Sequence, residues 1–202
     1  LKKDISDVTE AATRDNIKVV LIVPPDKPTV YPEYLPDGIS PSSKRYVKYH
    51  LDLLAKVPGL YVYDPTQDLL RGKTTKGILY WRTDTHWNYK AAYIAFNGLS
   101  RFLRFTVPRV SFSQGAPYSG DLIKISQLKD FPLDRDNPVV SFPGAPNVLT
   151  QKNIPPIGCN NFKTFFGDDT TVVNRSYTDA RRVWILGDSF IHSLRPYFNN
   201  TF

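Results

Sequence analysis

Short, nearly continuous apolar runs occur along the chain, and they predict strands. Residues 17–23 are aliphatic at almost every position and stop at Pro24-Pro25. This pattern is typical of a strand buried on both faces, as in a parallel sheet covered by helices. Shorter apolar runs predict further strands over residues 60–63, 78–81 and 182–186.

Between these runs, apolar residues recur at helical spacing. The spacing predicts helices over residues 4–15, from Ser42 or Ser43 to about 56, from Asn88 to about 103 and from Ser189 onward, with a helical turn near 65–70. The side chain of Asn88 can accept hydrogen bonds from the first free amides of the third helix. Because strands and helices alternate at both ends of the chain, we predict an α/β fold.

The segment from about residue 105 to about residue 175 breaks this alternation, since it is irregular and rich in Pro, Gly, Asn and Asp. It is too long for a plain loop, so we interpret it as an insertion with a few short strands, such as residues 139–142, and as a candidate for substrate contacts.

The chain of 202 residues fits a single domain over residues 1–202. It begins with Leu1 and contains no methionine, so we expect this domain to be incomplete at one or both ends. No apolar run approaches the roughly 18 residues of a membrane helix, so we expect no transmembrane segment here.

A net charge of +7 bears on the choice of partner. Basic surfaces can favour nucleic acid, an anionic membrane or an acidic polysaccharide. The charges are scattered and accompany no nucleic-acid motif, so we expect no nucleic-acid partner. An anionic partner and an ordinary solvated surface remain the open interpretations. Cys159 is the single cysteine, which excludes a disulfide within the chain and a cysteine-based zinc site.

Gly187-Asp188-Ser189 stands where the last predicted strand meets the last predicted helix. A serine hydroxyl becomes a nucleophile when a base lies within hydrogen-bond reach. Free amides at the helix start, with the backbone N–H of Ser189 as first candidate, would then face an oxyanion forming beside it. Gly187 would permit a tight turn. The simpler alternative is that Asp188 and Ser189 only cap the helix.

Asp84 and His86 supply the parts of such a base. Their spacing in an extended loop puts both side chains on one face, and the carboxylate can turn back toward Nδ1 to orient the ring. Two alternatives stay open. The pair can belong to a surface loop, or it can bind a metal ion if Asp121 or Asp188 adds a third ligand.

These residues resemble the motifs of a known family. Residues 186–190, Leu-Gly-Asp-Ser-Phe, look like the first block of the SGNH/GDSL hydrolase superfamily. Residues 84–88, Asp-Thr-His-Trp-Asn, resemble the Asp-x-His-Trp block of the alginate O-acetyltransferase family, to which AlgX and AlgJ belong. The Lys-x-Thr-x-Tyr-Pro-Glu stretch at 27–33 and the Gly-Asp-Leu element at 120–122 are similar to further pieces of that family. The Asp/His block precedes the serine, a permutation relative to most SGNH hydrolases.

The resemblance implies an SGNH hydrolase-like three-layer fold, with a central, mostly parallel sheet flanked by helices. It implies that Ser189 is the acetylated nucleophile, His86 its base and Asp84 the orienting carboxylate, with no metal ion and no cofactor. Three further residues are candidates for forming or supporting the oxyanion site: Gly187, Asp188 and Gly120.

The implied function is O-acetyl transfer to hydroxyls of an exo- or cell-wall polysaccharide, such as an acidic, alginate-like polymer. A membrane-bound O-acyltransferase would deliver the acetyl group, and the site of action would be the periplasm or the extracellular face of the membrane. Trp87, Tyr80 and Tyr31 are candidates for stacking on sugar rings, although each can equally pack the core. The alternatives are an SGNH acetyl esterase and a non-catalytic polysaccharide-binding protein.

Overall fold

The structure, a computed structural model, describes residues 2–42, 44–128, 130–144, 148–152, 170–174 and 179–202. Cys159 lies outside the described residues. The helices are α1 (Lys2–Arg14), α2 (Lys27–Val30), α3 (Tyr46–Leu54), α4 (Thr66–Lys76), α5 (Tyr89–Leu103), α6 (Asp121–Ser126) and α7 (Ile191–Asn199), with a short 3-10 helix over Pro32–Tyr34. The strands are β1 (Val19–Ile22), β2 (Leu60–Tyr63), β3 (Ser111–Gln114), β4 (Pro138–Ser141), β5 (Val148–Lys152) and β6 (Thr170–Asn174).

The first two strands form a parallel pair, in which Val19 lies opposite Leu60 and Ile22 opposite Tyr63. Both strands therefore end at the same edge. The chain leaves β1 at that edge and begins α2 after Asp26, whose carboxylate accepts a hydrogen bond from the backbone N–H of Thr29 at 3.2 Å. This turn places the start of α2 beside the candidate site.

The predicted insertion contains two antiparallel pairs, β3 with β4 and β5 with β6, together with the short helix α6. The strand expected at residues 139–142 is confirmed as β4.

The strand predicted over residues 78–81 is wrong. Tyr80 forms one isolated antiparallel bridge with Trp87, and the chain between them is a loop. Asn88 closes the loop, because its backbone N–H donates to the Leu79 carbonyl at 2.8 Å and its side chain donates to the Ile78 carbonyl at 2.7 Å. The apolar run indicated correctly that most of these residues are buried. Burial alone does not distinguish a strand from a packed loop.

The strand predicted over residues 182–186 is also wrong. Within the described part of the chain this segment pairs with no strand, and the side chains of Trp184 and Leu186 are 83% and 85% exposed. A strand needs a neighbour for its backbone groups. The apolar pattern identified a segment able to pair, and the described fold leaves it outside any helix or strand, just before Ser189.

The core is built on α5, as its pattern predicted. Ala91, Ala95 and Phe96 are buried along one face. Asn88 caps the helix as expected, since its side chain accepts from the N–H groups of Lys90 and Ala91 at 2.9 and 3.2 Å.

The last helix, α7, packs against α5. The ring of Phe96 lies 5.7 Å from Tyr197 and 4.9 Å from Phe198, and the Tyr197 hydroxyl donates to the Tyr89 carbonyl at 2.6 Å. Because Asp84 and His86 precede α5 and Ser189 precedes α7, this packing brings the two predicted motifs together. None of the described helices is long and apolar enough to span a bilayer.

Candidate active site

Ser189, His86 and Asp84 form a hydrogen-bonded series. The Nε2 atom of His86 lies 2.6 Å from Ser189 Oγ, and its Nδ1 atom lies 2.6 Å from Asp84 Oδ1. A carboxylate can only accept, so the Asp84 contact favours the proton on Nδ1 and leaves the Nε2 lone pair for the serine proton. This geometry suits general-base activation of a serine nucleophile.

Asp84 is the most firmly held member, with 3% of its surface exposed. Its Oδ1 atom accepts from the backbone N–H of His86 at 2.8 Å as well as from the imidazole. Its Oδ2 atom accepts from the Tyr118 hydroxyl at 2.8 Å and from the backbone N–H of Asp121 at 3.1 Å. Burial alone raises the pKa of this carboxyl, but these hydrogen bonds outweigh it and hold the pKa below its ordinary value. Asp84 is therefore prepared to remain an anion beside His86.

Gly120 allows the insertion to approach Asp84 closely. A Cβ atom at Gly120 would lie 2.2 Å from the Thr83 carbonyl oxygen and 2.6 Å from Asp84 Cβ, so a side chain does not fit. The N–H of Gly120 donates to Thr83 Oγ1 at 3.0 Å. This amide is already used, so Gly120 supports the Asp84 loop and is not a free oxyanion donor.

The structure bears on both candidate residues of the Gly-Asp-Ser turn, Gly187 and Asp188. A Cβ atom at Gly187 would make only ordinary contact with Ile191, at 3.4 Å, so the turn does not require a glycine there. Asp188 caps the turn before α7, because its carboxylate accepts from the Phe190 N–H at 3.0 Å. The next amides, of Ile191 and His192, donate to the carbonyls of Asp188 and Ser189.

The backbone N–H of Ser189 stays the candidate for an oxyanion donor. Within the described residues nothing accepts a hydrogen bond from it. The amides at the start of α7, which the sequence also suggested, are occupied by the turn. A donor at this position, next to the nucleophile, would suit an oxyanion site.

Two of the three aromatic candidates for sugar stacking are buried in this fold, and Tyr31 is half-buried. Trp87 and Tyr80 are 0% and 1% exposed, so neither ring face can meet a sugar, and this expectation is wrong for both. The Tyr80 hydroxyl donates to the Pro25 carbonyl at 2.6 Å. Tyr31 packs edge-on against Tyr80, with the Lys73 ammonium 4.7 Å from its ring centre, and its hydroxyl accepts from the Leu79 N–H at 2.9 Å.

Trp87 has a role at the site that the sequence did not indicate. Its Nε1–H donates to the Phe190 carbonyl at 2.9 Å, and its own carbonyl accepts from Ser193 Oγ at 3.2 Å. Trp87, which follows His86, is therefore hydrogen-bonded to Phe190, which follows Ser189. The Asp-x-His-Trp spacing was the available signal, because it places the tryptophan next to the histidine.

Metal binding also has candidate ligands here, since ligand atoms of Asp84, His86 and Asp121 lie within 4.8 Å of one another. The two oxygens of Asp121 accept from the backbone N–H and hydroxyl of Thr85, at 2.8 and 2.5 Å. Both oxygens of Asp84 likewise accept hydrogen bonds from the protein. Asp188 caps its own turn. The donor set is thus engaged by protein groups, which favours the nucleophilic interpretation.

Comparison with known proteins decides the family. The model of the SGNH hydrolase-like domain of the acetyltransferase AlgX matches residues 2–136. The chain belongs to this family. The match includes Asp84 and His86, whereas Ser189 lies beyond it. This finding confirms the resemblance and the predicted SGNH hydrolase-like α/β fold.

Individual AlgX-family relatives and solved structures agree. The probable alginate O-acetylase AlgJ of Pseudomonas syringae pv. tomato is 30% identical over 129 residues, which cover 58% of this chain and 32% of that protein. The O-acetyltransferase domain of Pseudomonas putida AlgJ superposes with a TM-score of 0.53 at 23% identity, covering 68% of this chain and 54% of that one. PatB1 of Bacillus cereus with a sulfonyl adduct gives a TM-score of 0.67 at 15% identity, covering 98% and 74%. The chain spans about a third of the curated relative's length.

Proposed function

We propose that this domain transfers acetyl groups to hydroxyls of an extracytoplasmic polysaccharide through an acetyl-serine at Ser189. The observation that carries the proposal is the unbroken contact series from Asp84 through His86 to Ser189 Oγ. Membership of the AlgX acetyltransferase family supports acetyl as the transferred group. AlgJ, named for alginate, supports a polysaccharide acceptor.

In the first half-reaction, Ser189 Oγ attacks the acetyl carbonyl carbon while His86 Nε2 takes the hydroxyl proton. The resulting oxyanion is stabilised by the backbone N–H of Ser189. Asp84 stabilises the imidazolium through Nδ1–H. Collapse of the tetrahedral species breaks the bond to the donor's leaving group, which receives the proton from His86. The product is an acetyl ester on Ser189.

In the second half-reaction, a sugar hydroxyl takes the place of the leaving group. His86 Nε2 removes its proton, and the sugar oxygen attacks the ester carbonyl. Collapse breaks the bond to Ser189 Oγ, which recovers the proton. Water arriving in place of the sugar would make the same site an esterase, so the acceptor determines which reaction is completed.

The partners follow from the same proposal. The acceptor is an acidic polymer, which the net charge of +7 would attract. A membrane-bound O-acyltransferase supplies the acetyl donor, and the domain acts in the periplasm or at the extracellular face of the membrane.

The experiment is incubation of the full-length protein with a chromogenic acetyl ester, with and without a uronic-acid oligosaccharide. We expect intact mass spectrometry to show one added acetyl group in the wild type and none in Ser189→Ala. Ser126→Ala removes an exposed hydroxyl on α6 and should retain acetylation.

Two outcomes would contradict the proposal. Rapid release of acetate without acetylated sugar would reassign the domain as an acetyl esterase. Absence of acetyl-enzyme in the wild type, together with retained oligosaccharide binding, would leave a polysaccharide-binding protein.

A further inference from the structure

Lys27 reaches from α2 into the loop that carries Asp84. Its ammonium donates to the backbone carbonyls of Trp81, Arg82 and Asp84, at 2.7, 3.0 and 2.8 Å. An ammonium has three protons to donate, and each of them has a carbonyl partner here. All three partners lie in a single turn more than fifty residues away along the chain.

The carboxylate of Asp134 binds the same turn by accepting hydrogen bonds from the backbone N–H groups of that turn. One carboxylate oxygen accepts from the backbone N–H of Arg82 at 3.0 Å. The other accepts from the backbone N–H and the hydroxyl of Thr83, at 2.8 and 2.5 Å. Asp134 is itself buried, and its backbone is bridged to Tyr118 in both directions at 2.9 Å. The insertion thus supplies an anion to the turn, while α2 supplies a cation.

The peptide groups of residues 81–84 are therefore held by opposite charges. Three of their carbonyl oxygens, which carry partial negative charge, accept from the ammonium of Lys27. The N–H groups of Arg82 and Thr83, which carry partial positive charge, donate to the carboxylate of Asp134. The carbonyl of Thr83, which Lys27 does not bind, accepts from the Leu122 N–H at 3.1 Å. Every carbonyl from 81 to 84 has a protein partner, so this turn has little freedom to rearrange.

We propose that Lys27 and Asp134 form a clamp of opposite charges on the 81–84 turn, and act as positioning residues that hold Asp84, and through it His86, against Ser189. The inference rests on the proposed function for its effect on rate. Its effect on the turn itself can be measured without any reaction.

Electrostatics around Lys27 are consistent with this arrangement. Burial lowers the pKa of Lys27, while the charges of Asp134, Asp84 and Asp121 each oppose that shift. A neutral amine would lose donor strength toward three carbonyls at once. Hydrogen bonds from the charged ammonium are stronger than those from a neutral amine, so the charged form of Lys27 holds the turn better.

The test compares Lys27→Met and Asp134→Asn with Lys73→Met in the full-length protein. Lys73 is a matched control, because its ammonium, like that of Lys27, donates to a backbone carbonyl. Its acceptor is Val30 in α2, and it pairs with Glu33, so neither contact involves the 81–84 turn. We expect the first two variants to slow acetyl-serine formation roughly 10- to 100-fold with KM changed less than about twofold, because misplacement of a catalytic group by about 1 Å costs on that order. Lys73→Met should keep the wild-type rate.

The double variant and amide exchange sharpen the test. If both residues act through one turn, Lys27→Met combined with Asp134→Asn will be about as slow as the slower single variant, and not the product of the two effects. Hydrogen exchange at the amides of Arg82 and Thr83 should accelerate in both single variants and stay unchanged in Lys73→Met.

Lys27→Arg covers the case in which Lys27→Met does not fold. A planar guanidinium retains the charge but cannot direct its donors at three convergent carbonyls, so we expect the acylation rate to remain reduced. Full activity in this variant, or wild-type exchange at Arg82 and Thr83 in a folded Lys27→Met, would overturn the clamp. If the wild type forms no acetyl-serine, the proposed function fails. The clamp is then tested by hydrogen exchange at Arg82 and Thr83 alone.

Discussion

Replacing Asp84 by asparagine tests the site most directly, because the hydrogen bonds that the new side chain must accommodate are known. The carboxylate accepts four hydrogen bonds, two at each oxygen. An amide presents one oxygen and one NH2 group. Two of the four donors must therefore face a group that also donates, and the two orientations of the amide fail differently.

With its NH2 toward Tyr118, the amide keeps its oxygen toward His86. The Tyr118 hydroxyl can rotate and accept, but the Asp121 N–H is left without an acceptor. With its NH2 toward His86, the backbone N–H of His86 loses its acceptor, and the ring must carry its proton on Nε2. In that tautomer His86 cannot take the proton of Ser189.

One unsatisfied buried N–H remains in either orientation, which costs about 1–3 kcal/mol of unfolding free energy. The rate of acetyl-serine formation should fall roughly 10³- to 10⁴-fold, because the imidazolium loses its anion or the ring takes the wrong tautomer. Unfolding by urea measures the first effect, and the burst of chromogenic acetyl ester hydrolysis measures the second. Asp52→Asn is a matched control, since this exposed carboxylate pairs with Lys48 on the surface of α3 at 2.8 Å and contributes little.

The pH dependence of the stability difference follows from the sign of the pKa shift. The folded-state pKa of Asp84 is lowered from 3.8, so the ionised carboxylate stabilises the fold above that value, and this contribution is lost as pH falls through the folded pKa. The difference between wild type and Asp84→Asn should be full at neutral pH and shrink below about pH 4. Equal stability of the two proteins at pH 7, or an acylation rate within tenfold of wild type, would contradict this role of the Asp84 carboxylate.

Three further substitutions, one of them a control, test how the site is held. Gly120→Ala should destabilise the protein by about 1–3 kcal/mol in urea unfolding, because its Cβ would collide with the backbone of Thr83, whereas Gly187→Ala should be nearly neutral; equal effects would contradict the packing described. Trp87→Phe removes the hydrogen bond to the Phe190 carbonyl. It should cost about 1 kcal/mol and slow acylation severalfold in stopped-flow assays, and an unchanged rate would show that this tie does not position Ser189.

Features with local causes were predictable from the sequence. The apolar spacing of α5 and the cap at Asn88 act within a few residues, and both appear as expected. The contact between Asp84 and His86 is also local, because their spacing lets the carboxylate turn back to the ring. The combination of this pair with Ser189 could be proposed from side-chain chemistry, and the AlgX-family resemblance came from the motifs at residues 84–88 and 186–190.

Features that depend on distant partners were not predictable. An apolar run indicates burial or an ability to pair, and it does not say which. Residues 78–81 therefore form a packed loop, and residues 182–186 form an exposed segment outside any strand. An aromatic ring suits a sugar and a core equally well, and only the packing of α5 and α7 decided that Trp87 is buried.

The proposed reacting groups could thus be read from the sequence alone, because serine, histidine and aspartate chemistry depends on residue type and short spacing. Tertiary structure decided how these groups are held. Lys27 and Asp134 lie far from the 81–84 turn along the chain, and a lone lysine or aspartate carries no signal of the peptide groups it will bind. Hydrogen-bond partners of isolated charged side chains are set by the folding of separate segments against each other, which no local pattern encodes.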